Sequence, residues 1–448
     1  MLGEHFVAPQ MRASIRRFGT RLCKILFSIA VVMTAATTWA GAGNSTTVTF
    51  LPSDPVCDEH IGATSAPATE FKLPPSFCTG FDLNYNRPHY LLKALQKAIG
   101  SARIRALSLG YYRFSNREFT DFLCQDLVKD TQYVRVTLDW DESIAGVEPL
   151  RECAGARGVP FELHRVGTGT GTGIFHDKYM LLSLDDGRFL TLISAGNPTL
   201  QSPLYIDYAV LFTESGSGRI YSWHHCVATA IRQIFGRSDL AIAASAVKAC
   251  GILTVKEKDL EISGFQLPFD LSTFRGSFFH KVSNAEGVLI AVQTFDDQYI
   301  FDVLSYIASI GKTVEVILDD DAYFAARAIE DRLEIPSNLL ADSDFVNTFI
   351  MPSKDTSISL KYVMTNHLTA VSSFLHAKLI YMKEADNRDV VYFGSANLTR
   401  AAFRSNFENV YFIRSGEIKS PVRAFFDRYW GMARSAADMP MGQYWLKK

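Results

Sequence analysis

Apolar residues recur at helical spacing at Leu91, Leu92, Leu95, Ala98 and Ile99, and the run closes at Gly100. That spacing predicts an amphipathic helix ended by glycine. The apolar segment IRALSLGYY follows and reads as a buried strand. Asn116 stands as a cap before a second helical pattern, Phe119, Phe122, Leu123 and Leu127, and the alternating segment VRVTLD ends a further strand at Asp139. The second half repeats this order. VLIAVQTF is its strand, Ile300, Val303, Leu304, Ile307 and Ala308 form a helix face closing at Gly311, and VEVILD ends at Asp319. Strands alternating with helices predict α/β domains with mainly parallel sheets flanked by helices. A repeat of this length predicts two of them.

The repetition extends to chemistry. FHDKYMLL is followed by SAGNPT in the first half, and LHAKLIYM by GSANLT in the second; His176 to Asn197 and His376 to Asn397 are both 21 residues. A single H-x-K is common by chance and fits a core histidine beside a solvated lysine. Two copies at equal spacing point to one site built from both halves. Residues two apart on a strand share a face, so His176 projects with Lys178 and His376 with Lys378. Lysines and amides of this kind stabilise the charge on a phosphoryl group in its transition state. One imidazole attacks phosphorus while the other protonates the leaving oxygen. These roles require neither a metal nor a cofactor.

These segments resemble the phospholipase D superfamily, whose pattern is H-x-K-(x)4-D with a following G-S-x-N. The resemblance implies two phospholipase D-like α/β domains in a pseudo-twofold arrangement. It implies His176 as a nucleophile forming a phosphohistidine and His376 as the general acid. Lys178, Lys378, Asn197 and Asn397 would hold the phosphate, with Ser395 assisting. Glu408, in NFE, matches the acid that orients a motif histidine, and Asp207 is its equivalent in the first half. The chain departs from the pattern where the motif Asp is Ser183 in one copy and Lys383 in the other. Tyrosyl-DNA phosphodiesterases, which share H-x-K and S-x-N, also lack that residue.

Composition refines the setting. Arg12, Arg16, Arg17, Arg21 and Lys24 precede the apolar run Ile25 to Ala36, and Ala40-Gly41-Ala42 supplies an A-x-A site, so residues 1–42 read as a signal peptide. A retained membrane anchor is the alternative, and Met11 is the better start for such a leader. The expected location is secreted or periplasmic. Removing residues 1–42 takes away five of the 45 basic residues and Glu4 of the 47 acidic ones, moving the net charge from -2 to -6. A non-specific nucleic-acid binder needs the opposite balance. The six cysteines beyond Cys23 predict sequential disulfides, Cys57 with Cys78, Cys124 with Cys153 and Cys226 with Cys250. No C-x-x-C pair or clustered histidines support zinc, and His224-His225 reads as helix packing.

The expected domains are 43–255, with a Pro-rich extension from Leu51 to Pro75, and 256–448; Thr213 to Gln266 reads as a linker region with a helix of its own. GTGTGTG at 167–173 is read either as a mobile loop over the phosphate or as a plain connection. Tyr111, Tyr112, Trp140 and Phe295 are expected at the mouth. The substrate expected is a phosphodiester, with a phospholipid and transient membrane-surface contact favoured. A secreted nuclease is the first alternative, a non-catalytic phosphate-ligand binder the second, and no obligate protein partner is implied.

Overall fold

The computed structural model describes residues 45–53, 90–167, 173–199, 202, 205–232, 234, 239–331, 346–363 and 375–439. The leader, Cys57 and Cys78, and most of the Pro-rich extension lie outside them.

Each half builds one sheet. The first has strands β1 (Ser45–Ser53), β2 (Ile104–Tyr111), β3 (Tyr133–Asp139), β4 (Phe161–Val166), β5 (Tyr179–Leu184), β6 (Phe189–Ser194) and β7 (Asp207–Ser215), in the order β1-β7-β6-β5-β2-β3-β4. The second has β8 (Leu253–Glu257), β9 (Leu260–Leu267), β10 (Gly287–Val292), β11 (Thr313–Asp319), β12 (Ile358–Val363), β13 (Lys378–Lys383), β14 (Val390–Gly394) and β15 (Glu408–Ser415), in the order β12-β11-β10-β13-β14-β15-β9-β8.

The α/β class and the two-sheet arrangement are as expected, but the sheets are mixed rather than mainly parallel. Parallel pairing is confined to β2-β3-β4 and β10-β11-β12. The physical reason lies in connection length. A parallel pair needs a crossover, supplied by the helices Arg117–Asp126, Glu148–Ala156 and Gln298–Ser309, whereas β5-β6 and β13-β14 are joined by short turns that force antiparallel pairing. The motif segments lie on these antiparallel strands.

The cap read at Asn116 is present, and the second half has an unforeseen one at Asp297. Asn116 caps the 117–126 helix by accepting from Phe119 N at 3.0 Å, and Asp297 caps its counterpart by accepting from Ile300 N at 3.2 Å. The outer face of each sheet is buried by its own helices. Leu107, Leu109, Val134 and Val136 meet Leu95, Phe119 and Leu123 in the first half, and Ile290, Val292 and Val316 meet Phe278, Ile300 and Leu304 in the second. The inner faces bury a third core between the sheets, where Phe175, Leu181 and Phe212 pack with Leu379, Phe393, Phe407 and Tyr411. That shared core is what holds the two motif strands in register.

The segment read as a linker is structured. It contains the end of β7, the helices Arg219–Ile231 and Leu240–Cys250, and the hairpin β8-β9 that completes the second sheet. Cys226 and Cys250 are bonded between those helices, and Cys124 and Cys153 between the 117–126 and 148–156 helices. His224 is buried against Tyr179 and its Nδ1 meets the Tyr411 hydroxyl at 3.0 Å, as packing would have it. No described helix is long and apolar enough to cross a membrane.

Candidate active site

Both motif histidines precede their strands by two or three residues, and the opposite half holds each in place. His176 N donates to Phe407 O at 3.0 Å, and His376 N donates to Ile206 O at 2.9 Å. The parallel bridges Phe175↔Phe407 and Ile206↔Leu375 bring each histidine beside the other half's acid. The consequence is a crossed pairing. His176 Nδ1 lies 2.8 Å from Glu408 Oε1, and His376 Nδ1 lies 3.1 Å from Asp207 Oδ2. An ionised carboxylate can only accept, so each Nδ1 carries the proton and each Nε2 keeps its lone pair.

The two acids are seated differently. Glu408 Oε2 accepts from Ser395 Oγ at 2.6 Å, and Asn406 Nδ2 donates to Oε1 at 3.3 Å. Asp207 is one carbon shorter and approaches through Gly196, where a Cβ would come within 1.9 Å of Oδ2. The second half has Ala396 at this position, so the glycine is tied to the aspartate. Ser395, expected among the phosphate donors, directs its hydroxyl hydrogen to Glu408 and accepts from Asn409 N at 3.1 Å. It buttresses the acid.

Lys178 and Lys378 are both fully buried. Each ammonium donates to the carbonyl of its own motif histidine, at 2.9 Å and 2.7 Å, and Lys378 also reaches Gln293 Oε1 at 3.4 Å. Burial lowers them to about 7 and about 8 respectively, against the pull of Glu408 and Asp207. Burial, with the lysines, also lowers both imidazoles, His176 to about 4 despite Glu408 and His376 well below its ordinary value. Glu408 stays below the ordinary glutamate range despite burial, because His176, Lys178 and Ser395 favour its charge. At neutral pH the site therefore holds neutral imidazoles over a largely cationic Lys378 and a Lys178 near the midpoint of its titration, and a bound anion would favour the charged form of both.

Asn197 Oδ1 accepts from Arg113 N at 3.1 Å, so its amide nitrogen is directed elsewhere. Asn397 Oδ1 is buried without a hydrogen-bond partner among the described residues. Two residues escaped the sequence reading. Asp139 Oδ2 accepts from Phe175 N at 2.6 Å, and Asp319 Oδ2 accepts from Leu375 N at 2.6 Å. Each fixes the residue just before a motif histidine. Their signal was available, since both end the second strand of their repeat. The acidic group Asp319-Asp320-Asp321 is thereby explained in part by fold: Asp319 also caps the Asp320–Glu330 helix through Asp321 N at 3.1 Å.

Of the aromatics expected at the mouth, Tyr112 is half-buried with its ring 5.7 Å from that of His176, and Trp140 is exposed beneath Arg165. Tyr111 and Phe295 are not at the mouth but in the outer cores: Tyr111 shares the helix-covered outer face of β2 with Leu107 and Leu109, and Phe295 stacks on Phe349 at 4.1 Å. Tyr205, not foreseen, lies 5.9 Å from the His376 ring. Within 167–173, residues 168–172 lie outside the described residues; Gly167 bridges to Ile174.

Asp177, between His176 and Lys178, points to the inter-sheet face and is buried with Gln266, whose Nε2 lies 3.1 Å from Oδ1. Burial raises this carboxyl from 3.8 to about 7. A raised folded value means that its contribution to stability is present below pH 3.8 and lost as pH rises through 7. Asp177→Asn is expected to stabilise the protein at pH 8 by about 2–4 kcal/mol and to leave it unchanged at pH 3.5, measured by urea unfolding. An equal effect at both values would rule out ionisation of Asp177 as the cause.

Residues 281–430 match the family described as cardiolipin synthase, PLD-like domain. Among solved structures the chain is similar to phosphatidylserine synthase from Haemophilus influenzae Rd KW20, with 13% identity, a TM-score of 0.55, and coverage of 79% of this chain and 87% of that one. It is also similar to the yeast tyrosyl-DNA phosphodiesterase, with 10% identity and a TM-score of 0.43 over 72% of this chain and 86% of that one. Nuc from Salmonella typhimurium, described as a phospholipase D family member, gives 18% identity and a TM-score of 0.28 over 40% of this chain and 98% of that one. No curated protein sequence matches. The second half thus carries a match to a phospholipase D-like domain, and the chain as a whole shares its two-sheet α/β fold with the phosphatidylserine synthase structure.

Proposed function

We propose that this protein is an exported phosphodiesterase that works through a phosphohistidine, hydrolysing phospholipids or transferring their phosphatidyl group to an alcohol. The observation that carries the reading is the crossed pairing of His176 with Glu408 and His376 with Asp207 above two buried lysines. His176 Nε2 attacks phosphorus, and the bond to the leaving oxygen breaks as His376 delivers a proton to it. The anionic phosphate offsets the field of Lys178 and Lys378, which favours that proton on His376 while substrate is bound. Neutral His376 then takes a proton from water, or from an acceptor alcohol, whose oxygen displaces His176 from phosphorus. Lys178, Lys378, Asn197 and Asn397 hold the non-bridging oxygens throughout, a service that is largest in a water-poor pocket.

The phospholipid is favoured because the matched family and the similar synthase are both named for making phospholipids. Export is supported by the basic-apolar leader and by the two disulfides. A nuclease is the second reading, favoured by the Tyr112 and Tyr205 rings beside the histidines and by Arg113 over Tyr112 at 5.3 Å, an arrangement able to stack on bases.

Mixed vesicles of phosphatidylcholine and phosphatidylglycerol, and single-stranded and duplex oligonucleotides, distinguish the readings when incubated with protein in EDTA. The expected result is headgroup release from the vesicles and, after a rapid alkaline quench, an acid-labile phosphoryl group on His176. Cleavage of oligonucleotides alone would transfer the protein to the second reading. Folded protein that forms no phosphohistidine with either substrate would end the proposed mechanism.

A further inference from the structure

The repeat gives an internal comparison at each position of the inner sheet faces. Gly110 pairs with Thr137 and Tyr179 in the first sheet as Ala291 pairs with Ile317 and Leu379 in the second. By this register Ser108, Thr137 and Tyr179 correspond to Leu289, Ile317 and Leu379. The second set is aliphatic core. The first set carries three buried hydroxyls that lie beside one another and form a hydrogen bond of normal geometry with no further partner among the described residues. Gly110 makes the difference in shape possible, because a Cβ there would come within 2.1 Å of the Tyr179 ring. The ring lies across β2, and its hydroxyl comes beside those of Thr137 and Ser108.

The 219–231 helix packs on this spot through His224, whose ring meets that of Tyr179 at 4.5 Å, and Arg232 at its end acts electrostatically on the Tyr179 hydroxyl. The Arg232 side chain is almost wholly buried, its Nε donates to Ala228 O at 3.1 Å and its Nη2 to Thr229 Oγ1, but Nη1 has no acceptor among the described residues. No described carboxylate forms an ion pair with it. Glu162, the acid in its neighbourhood, is engaged by Arg135 Nε at 2.8 Å and by His164 Nε2 at 3.3 Å. The excess positive charge acts on its surroundings: burial first, then Arg232 and Arg135, lower His225 to about 3 and hold His164 below its ordinary value. In the second half Glu315 replaces Arg135, and the neighbouring Arg423 is paired with Asp427 at 2.9 Å, so charge is balanced there. A buried guanidinium is normally paired. Here the chain supplies no partner.

We propose that Arg232, Ser108, Thr137 and Tyr179 form a binding site for a small inorganic oxyanion, phosphate or sulfate, separate from the histidine pocket. The Nη1 group, left without an acceptor among the described residues, supplies charge-assisted donors to such an ion, and the hydroxyls supply more. Arg135 and His164, whose side chains are 24% and 29% exposed, form the rim. Tyr179 directly follows Lys178 and points to the opposite face of the strand, so the ion would brace the segment that carries the motif lysine.

Thermal unfolding in phosphate or sulfate against chloride at matched ionic strength tests the site. In the wild type the oxyanions are expected to raise Tm by roughly 2–4 °C, saturating at millimolar concentration. The shift should persist in Lys378→Met, which weakens phosphate binding at the histidines, and disappear in Arg232→Met. Tyr179→Phe, which deletes one hydroxyl and fills nearly the same space, should raise the half-saturating concentration several-fold even if Arg232→Met fails to fold. A shift lost in Lys378→Met and kept in Tyr179→Phe would place the ion in the histidine pocket and overturn the proposal. So would the absence of any saturable shift, which would leave the pocket to water.

Discussion

Replacing His176 by alanine is expected to lower turnover by at least about 10³-fold and to leave it low for every leaving group, because attack on phosphorus is lost outright. His376→Ala should cost about 10²- to 10⁴-fold with a poor leaving group but far less with p-nitrophenolate, which departs without a proton. The two variants therefore differ in the slope of rate against leaving-group pKa: steep for His376→Ala, and as in the wild type for the small residue left to His176→Ala. Single-turnover kinetics with aryl phosphodiesters measure it. The reverse pattern would exchange the roles of the two imidazoles, and equal slopes would deny that either acts as general acid.

The carboxylates supply the second large effect. Glu408→Gln removes the charge that keeps His176 in its Nδ1–H form, and a fall of about 10²- to 10⁴-fold is expected from tautomer loss alone. Because Glu408 lies in the second half but holds His176 of the first, its loss should follow the His176→Ala pattern, insensitive to the leaving group. Asp207→Asn should follow His376→Ala. Imidazole nitrogen shifts in the NMR spectrum give an independent reading: Glu408→Gln should move those of His176 and leave those of His376 nearly in place. If each acid served the histidine of its own half, both patterns would invert.

The motif pairs, the repeat order and the Asn116 cap were legible because each is written within a few consecutive residues. The crossing of the acids was not, since it arises from the bridges between residues 175 and 407 and between 206 and 375, a fact of tertiary register. Strand direction was misjudged for a related reason. The helix-strand alternation was visible in 91–139 and 288–319, while the antiparallel β5-β6-β7 and β13-β14-β15 runs carry no helices and were read only for their chemistry. The β8-β9 hairpin had its own signal in the alternation Leu253, Val255 and Leu260, Ile262 around Lys258-Asp259, but its cysteine-bearing helices drew the reading toward a linker. Tyr111 and Phe295 were expected at the mouth, although side-chain parity along β2 places Tyr111 with the core.

The exchanged carboxylates bear on what a single repeat can be. A two-fold dimer of one such repeat would satisfy the same geometry, with each subunit lending its acid to the neighbour, but its two imidazoles would be chemically identical and either could attack. Joining the copies in one chain frees them to diverge, and here one imidazole leans on a glutamate braced by a serine while the other leans on a shorter aspartate admitted by a glycine. Under the proposed roles, fusion would turn an arbitrary choice between equivalent nucleophiles into an inherited division of labour.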